Sequence, residues 1–173
     1  MTTVSGCMVQ VHPEVAKAQI AAGAQVIRML AVYEEKEKEG SLVRKVRLVA
    51  DGRMHKTTVI TYSATPSREE LLILLHIFSS NDWDYYHIDE IRAFLSAEKQ
   101  EEAKIFARFT GDDNYYEIVK ALYGLKTASK DYQDSVVKRL SSLGFQRLHM
   151  CSCIFNKKDK NGNIILSIAS SYP

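Results

Sequence analysis

The sequence predicts an α+β fold, on three observations. Two strand-like runs flank a charged stretch ending in Gly40, and a capped helix follows Pro66. A second amphipathic helix, stopped by Gly144, precedes two apolar runs separated by Asn161-Gly162.

In chain order, residues 1–20 are mixed in character and are expected to form an N-terminal extension that frays, with the domain proper over 21–166. Gln25–Tyr33 and Leu42–Ala50 are rich in β-branched and aromatic residues and read as a hairpin around Glu34-Glu35-Lys36-Glu37-Lys38-Glu39-Gly40. Ser67-Arg68-Glu69-Glu70 is a capping box, so Leu71–Phe78 predicts a helix over about 67–80. The run Asp84–Ile88 is short, aromatic and β-branched, and predicts a buried strand ending at Asp89. Ala128, Tyr132, Val136, Leu140 and Leu143 recur at helical spacing, which predicts a helix over about 129–143. Cys153–Phe155 and Ile164–Leu166, around a polar stretch holding Asn161-Gly162, predict a second hairpin. Strand, strand, helix, strand, strand, helix, hairpin is the order of an antiparallel sheet with packed helices.

Composition excludes some classes. With 173 residues, 46% of them hydrophobic and 25% charged, the chain is long enough to bury a core. Its longest apolar run, Leu71–Phe78, falls far short of the roughly twenty residues that cross a bilayer. The first residues carry no basic segment followed by an apolar one, and three cysteines suit a reducing compartment, so an intracellular location, cytoplasmic or nuclear, is expected. A net charge of +2 leaves any nucleic-acid contact to local clusters. Cys151-Ser152-Cys153 has no second pair to complete a zinc site, and the five histidines lack ligand spacing.

Asp89 is the residue with the clearest chemical potential. A carboxylate at a strand end is rigidly held where an ion can enter, although an aspartate there is also a common turn residue. Ala121-Leu122-Tyr123-Gly124-Leu125-Lys126 is an unusual hexapeptide, followed by Leu143-Gly144-Phe145 and preceded by Arg44-Lys45-Val46-Arg47-Leu48-Val49-Ala50 and Tyr62-Ser63. With Asp89 and Ala93-Phe94-Leu95, in this order and spacing, these strings resemble the copia-type retrotransposon reverse transcriptases over about residues 20–166.

That resemblance implies part of a right-hand polymerase, fingers and some of the palm, that copies RNA or DNA into DNA on a template–primer using dNTPs and magnesium. It implies that Asp89 is the first catalytic, magnesium-binding aspartate, and that Phe94 is the aromatic gate that rejects a ribonucleotide by shape. It further implies that Lys45 and Arg47 face the triphosphate, and that Tyr123, Gly124 and Lys126 shape the nucleotide pocket, where a glycine admits a ligand to the backbone. Each also has a structural reading: Phe94 as core, and Lys45 and Arg47 as the polar face of a strand.

The pattern breaks near the end. Where the family continues into Tyr-X-Asp-Asp, Ser170 and Ser171 stand by position, or the register is lost altogether, and 167–173 reads as a non-family tail. Two divalent ions about 4 Å apart repel by roughly 16 kcal/mol at an effective dielectric of ~20. Carboxylates must offset that repulsion, and serine hydroxyls carry no charge. The expectation is therefore a truncated, inactive reverse-transcriptase relic, whose unpaired hairpin edge invites self-association. The alternatives are a non-catalytic module that binds nucleic acid or protein, or an enzyme completed from another reading frame.

Overall fold

The structure is a computed structural model that describes residues 3–4, 6–38, 40–100 and 103–170. The chain forms β1 (Thr3–Val4), β2 (Met8–Val11), α1 (Pro13–Ala21), β3 (Gln25–Lys38), β4 (Ser41–Ala50), α2 (Arg68–Ser80) and α3 (Ala93–Ser96). It continues through β5 (Ile105–Arg108), β6 (Tyr115–Ile118), α4 (Ala128–Ser142), β7 (Gln146–Arg147), β8 (Ile154–Lys158) and β9 (Ile164–Ala169). Helices and two sheets make an α+β fold. One sheet has the order β1-β2-β6-β5-β3-β4 and the other β7-β8-β9.

The core sits where the central strands of the larger sheet meet α4. Phe106 of β5 is buried outside that core, whereas Ile27, Ile105, Ala107 and Ile118 are fully or almost fully buried within it on β3, β5 and β6. Cys7 and Met8 join them, because β2 pairs antiparallel with β6 from Met8↔Ile118 to Val11↔Tyr115. Positions 8–20, assigned from sequence to the N-terminal extension, thus supply a sheet strand and all but the last residue of a helix. That helix starts with Pro13, whose missing N–H costs nothing at the first turn, and His12 Nδ1 accepts the Glu14 N–H at 3.4 Å.

β3 changes partner along its length. Gln25–Arg28 pair in parallel with β5, whereas Met29–Lys38 pair antiparallel with β4 in one long ribbon. The charged stretch read as a turn is mostly strand, since the ladder continues to Lys38↔Ser41. The reason is cross-strand charge: Glu34 lies opposite Lys45, and Glu35 lies opposite Arg44 with an ion pair of 3.0 Å. Opposite charges facing across a ladder support it, so the polar character that suggested a loop serves a solvated strand.

Helix α2 has the predicted box. Ser67 Oγ accepts the Glu70 N–H at 3.1 Å, and Glu70 Oε2 accepts the Ser67 N–H at 2.7 Å. None of its residues is buried, however, and Leu72 and Ile73 are more than half exposed. Helix α4 buries Ala128, Tyr132 and Val136 as its stripe requires, while Leu143 is left outside. Gly144, at φ +83, receives the chain past the helix end and donates its N–H to Ser141 O at 3.0 Å. The β8–β9 hairpin closes on Asp159, whose Oδ1 accepts the N–H groups of Asn161 and Asn163 at 2.8 and 2.9 Å.

One predicted element is corrected. Residues 84–88 form no strand, and Tyr85, Tyr86 and Ile88 are each more than 70% exposed. A strand needs a ladder partner, and residues 84–89 make no backbone hydrogen bond among the described residues. β-Propensity expresses packing onto a pleated surface, so it does not act on a segment that pairs with neither sheet.

Phe106, with Phe155 one of the two largest fully buried side chains among the described residues, lies edge-on to Tyr115, with ring centroids 6.4 Å apart. Phe106→Ala is expected to lower stability by about 3–5 kcal/mol. In urea this would appear as a lower midpoint with an unchanged slope; an unmoved midpoint would contradict the burial of Phe106.

Candidate nucleic-acid cleft

Gly124 joins the long hairpin to the body. The N–H of Ala50, the last residue of β4, donates to Tyr123 O at 2.7 Å. Gly124 has φ +91, and a Cβ on it would stand 2.0 Å from Ala50 O and 2.7 Å from Val49 Cγ1. Only glycine fits there. The close approach that the sequence suggested for a ligand is thus made to β4. The next turn is fixed from the other side, where the Lys126 N–H donates to Nδ1 of the fully buried His55 at 3.1 Å.

This junction opens a cleft of about 2220 Å³ between the hairpin, α2, residues 82–95, α4 and β9. Lys45, Arg47, Asp89, Tyr123, Gly124 and Ser170 all line it. Lys126 is exposed but lies outside the lining, and Ser171 lies outside the described residues. Phe94 is 5% exposed and sits behind the wall. Its ring centroid is 4.6 Å from that of Tyr123 and 6.1 Å, edge-on, from that of Tyr132. The gate position is therefore core in this structure, held between two tyrosines.

The charges are unevenly committed. Arg47 pairs with Glu34, whereas Lys45 and Asp89 make no ion pair among the described residues. Glu90, next to Asp89, is engaged instead: it accepts the Tyr132 hydroxyl at 2.7 Å, Arg139 Nη2 at 3.1 Å and Arg139 Nη1 at 3.5 Å. Burial pushes Glu90 upward, but the bonds from Tyr132 and Arg139 outweigh it and hold the carboxyl below its ordinary value. Burial, with the Glu90 bond adding to it, pushes the Tyr132 hydroxyl up to about 12, so it remains a donor at neutral pH.

Among the described residues, no three His, Cys, Asp or Glu side chains converge as a metal-binding set. Asp82, Asp84 and Asp89 line the cleft beside Glu90, whose carboxylate is held by Tyr132 and Arg139. The donor set does not fit a two-ion centre.

The family comparison decides the relationship. A profile described as "Reverse transcriptase (RNA-dependent DNA polymerase)" matches residues 17–170, most of the chain. The chain belongs to the reverse transcriptase family. Its matched segment runs through Ser170, past the boundary at 166 drawn from the sequence, so β9 lies wholly inside the family region. Comparisons with curated proteins and with solved structures returned no match. In this reverse-transcriptase-family chain, the sequence reading missed three residues. His55 and Asp51 are buried beside the Gly124 junction, and Glu90 is tied to α4. Only Asp51 had a legible signal, an acidic residue in an otherwise basic and apolar string.

Asp51 accepts bonds from Arg53 Nε and Nη2, both at 2.8 Å, and from Arg28 Nη2 at 3.1 Å. Arg53 first, then Arg28, hold its carboxyl far below the usual range against the effect of burial. A depressed carboxylate pKa means that the ionised form favours the fold. The stabilisation is complete above the ordinary carboxylate pKa, near about 3.9, and is lost as pH falls toward the depressed folded value. Melting wild type and Asp51→Asn between roughly pH 7 and pH 2 should show their difference shrinking below about pH 4; a constant difference contradicts the role. Gly124→Ala should be much more damaging, through the clash with Ala50. A melting temperature equal to wild type would show that the junction is not as described.

Proposed function

We propose that this chain is the fingers and part of the palm of a copia-type reverse transcriptase, and that it grips template–primer nucleic acid in the cleft without polymerising. The observation that carries the reading is the gathering of Lys45, Arg47, Asp89, Tyr123 and Gly124 around one open cleft. Cations on the β4 wall would neutralise backbone phosphates, which gives affinity without sequence preference. Tyr123 offers an aromatic face beside them, suited to stacking on a base. Asp89 supplies a carboxylate that could join a magnesium ion carried in with a nucleotide's phosphates.

Catalysis is a separate matter. Nucleotidyl transfer by two magnesium ions needs carboxylates that bridge them, and serine stands at positions 170 and 171. No reaction step is assigned to this chain. A second reading, self-association, draws on β9: Ile164, Ile165 and Leu166 are exposed on an edge strand that carries no charge or proline to blunt pairing.

Fluorescence anisotropy with a labelled RNA–DNA template–primer tests the reading. Affinity is expected to fall with salt, and Lys45→Ala with Arg47→Ala should reduce the slope of log K against log salt by about 0.7–0.9 per contact. Affinity that ignores salt, or is unchanged in the double variant, removes the nucleic-acid reading. Incorporation of dNTPs with magnesium is expected at background; template-dependent synthesis by this chain would refute the assignment of inactivity.

A further inference from the structure

Residues 82–92 cross the cleft as a strap with little to hold them. They begin at Asp82, at φ +51, and end at Arg92, at φ +59, both in the left-handed region that non-glycine residues seldom adopt. At the first end, Trp83 packs on Phe78 with centroids 5.8 Å apart, and its N–H donates to Phe78 O at 3.0 Å. Between the ends, residues 84–89 make no backbone hydrogen bond among the described residues, and most of their side chains face solvent. Near the second end, Glu90 reaches Tyr132 and Arg139 on α4. Tyr132 is itself buried and lies edge-on to Phe94, so its hydroxyl is presented from a packed ring.

We propose that Tyr132 and Arg139, acting through Glu90, are positioning residues that fix the Asp89-bearing strap in the cleft. The proposal deepens the reading of the cleft given above, which uses Asp89. The two donors sit seven residues apart on α4, two helical turns on one face, and converge on one carboxylate from a rigid element. Glu90 is engaged by α4 while Asp89 makes no ion pair among the described residues, which divides the two neighbouring acids into one that holds the strap and one that faces the cleft. Arg139 is half exposed, so the contact contributes little to global stability. Its effect is local.

The test uses Tyr132→Phe, which keeps the ring against Phe94, together with Glu90→Gln and Arg139→Gln, all in the whole chain. Backbone 15N relaxation is measured across residues 84–92, with template–primer anisotropy alongside. In the wild type the amides of 89–92 are expected to be ordered. In Tyr132→Phe and Glu90→Gln their order parameters should drop below about 0.6 while β3, β5 and β6 are unchanged, and template–primer affinity should fall several-fold. Unaltered order in the strap overturns the proposal, whatever the affinity does. A strap that loosens in variants of a protein with no nucleic-acid affinity supports the positioning role and removes the functional reading alone. Loosening spread equally over the sheet overturns the proposal, because it marks a general packing contact.

Discussion

The arrangement depends on one approach between backbones, that of Gly124 to Ala50. Residues 123–126 are far in sequence from β4, and the hairpin that β4 forms with β3 has no second layer over most of its length. The Ala50–Tyr123 hydrogen bond and the glycine contact seat the base of that hairpin against the start of α4. His55 and Asp51, buried on either side, lock the junction by bonds to the Lys126 N–H, Arg28 and Arg53. With the base fixed, Lys45 and Arg47 face a cleft whose floor is Tyr123, which is backed in turn by Phe94 and Tyr132. A glycine that the sequence suggested for a ligand's sake is needed first for the fold. The approach that excludes a Cβ also leaves Gly124 exposed at the cleft wall.

Carboxylates in this chain divide by whether they are already engaged. Asp51 holds two arginines, Glu90 a tyrosine and an arginine, Asp112 the Asn114 N–H and the Tyr116 hydroxyl, and Asp159 the turn of its hairpin. Each is held below its ordinary pKa by those donors. Asp131 runs the other way: buried on α4, it is raised by burial, against the lowering effects of Thr127 and of a long 3.4 Å bond from the Gln100 N–H. An acid with donors around it is structural before it is chemical. Asp89 belongs to neither group, being exposed, in the cleft and without an ion pair among the described residues.

Local signals were legible where the physics is local. The capping box at Ser67, the helix stop at Gly144 and the Asp159–Asn163 turn are each decided within a few residues, and each stands where the sequence put it. The Glu34–Gly40 stretch misled because its charges are satisfied by β4, a partner that composition does not reveal. Phe94 and Gly124 were marked by resemblance, yet their immediate neighbours, Tyr132 and Ala50, are tens of residues away. Glu90 carried no signal at all, since a single acid beside another acid says nothing about a tyrosine on a later helix. The α1–β2 segment was overlooked for a related reason: β2 is short, and it is the pairing with β6 that makes it a strand.

The disagreements between sequence and structure are not scattered. Leu71–Phe78 is apolar on every side, as in a helix meant to be enclosed, yet α2 has no buried residue. Residues 84–88 have strand character and lie exposed, and β9 presents Ile165 and Leu166 at an edge. All three line the same cleft. Pattern and burial agree on the central strands β5 and β6 and along α4 as far as Leu140, whereas the β3–β4 hairpin also exposes Tyr33, Leu42 and Val46. Local preference and tertiary environment conflict mainly where a protein handles something other than itself. Hydrophobic burial has no preferred direction, so α2 can rest partly covered against several surfaces, but a strand without a ladder keeps nothing of its structure. This explains why, around one cleft, the helix persists in the open while residues 84–89 become a strap that hangs between Trp83 and Glu90.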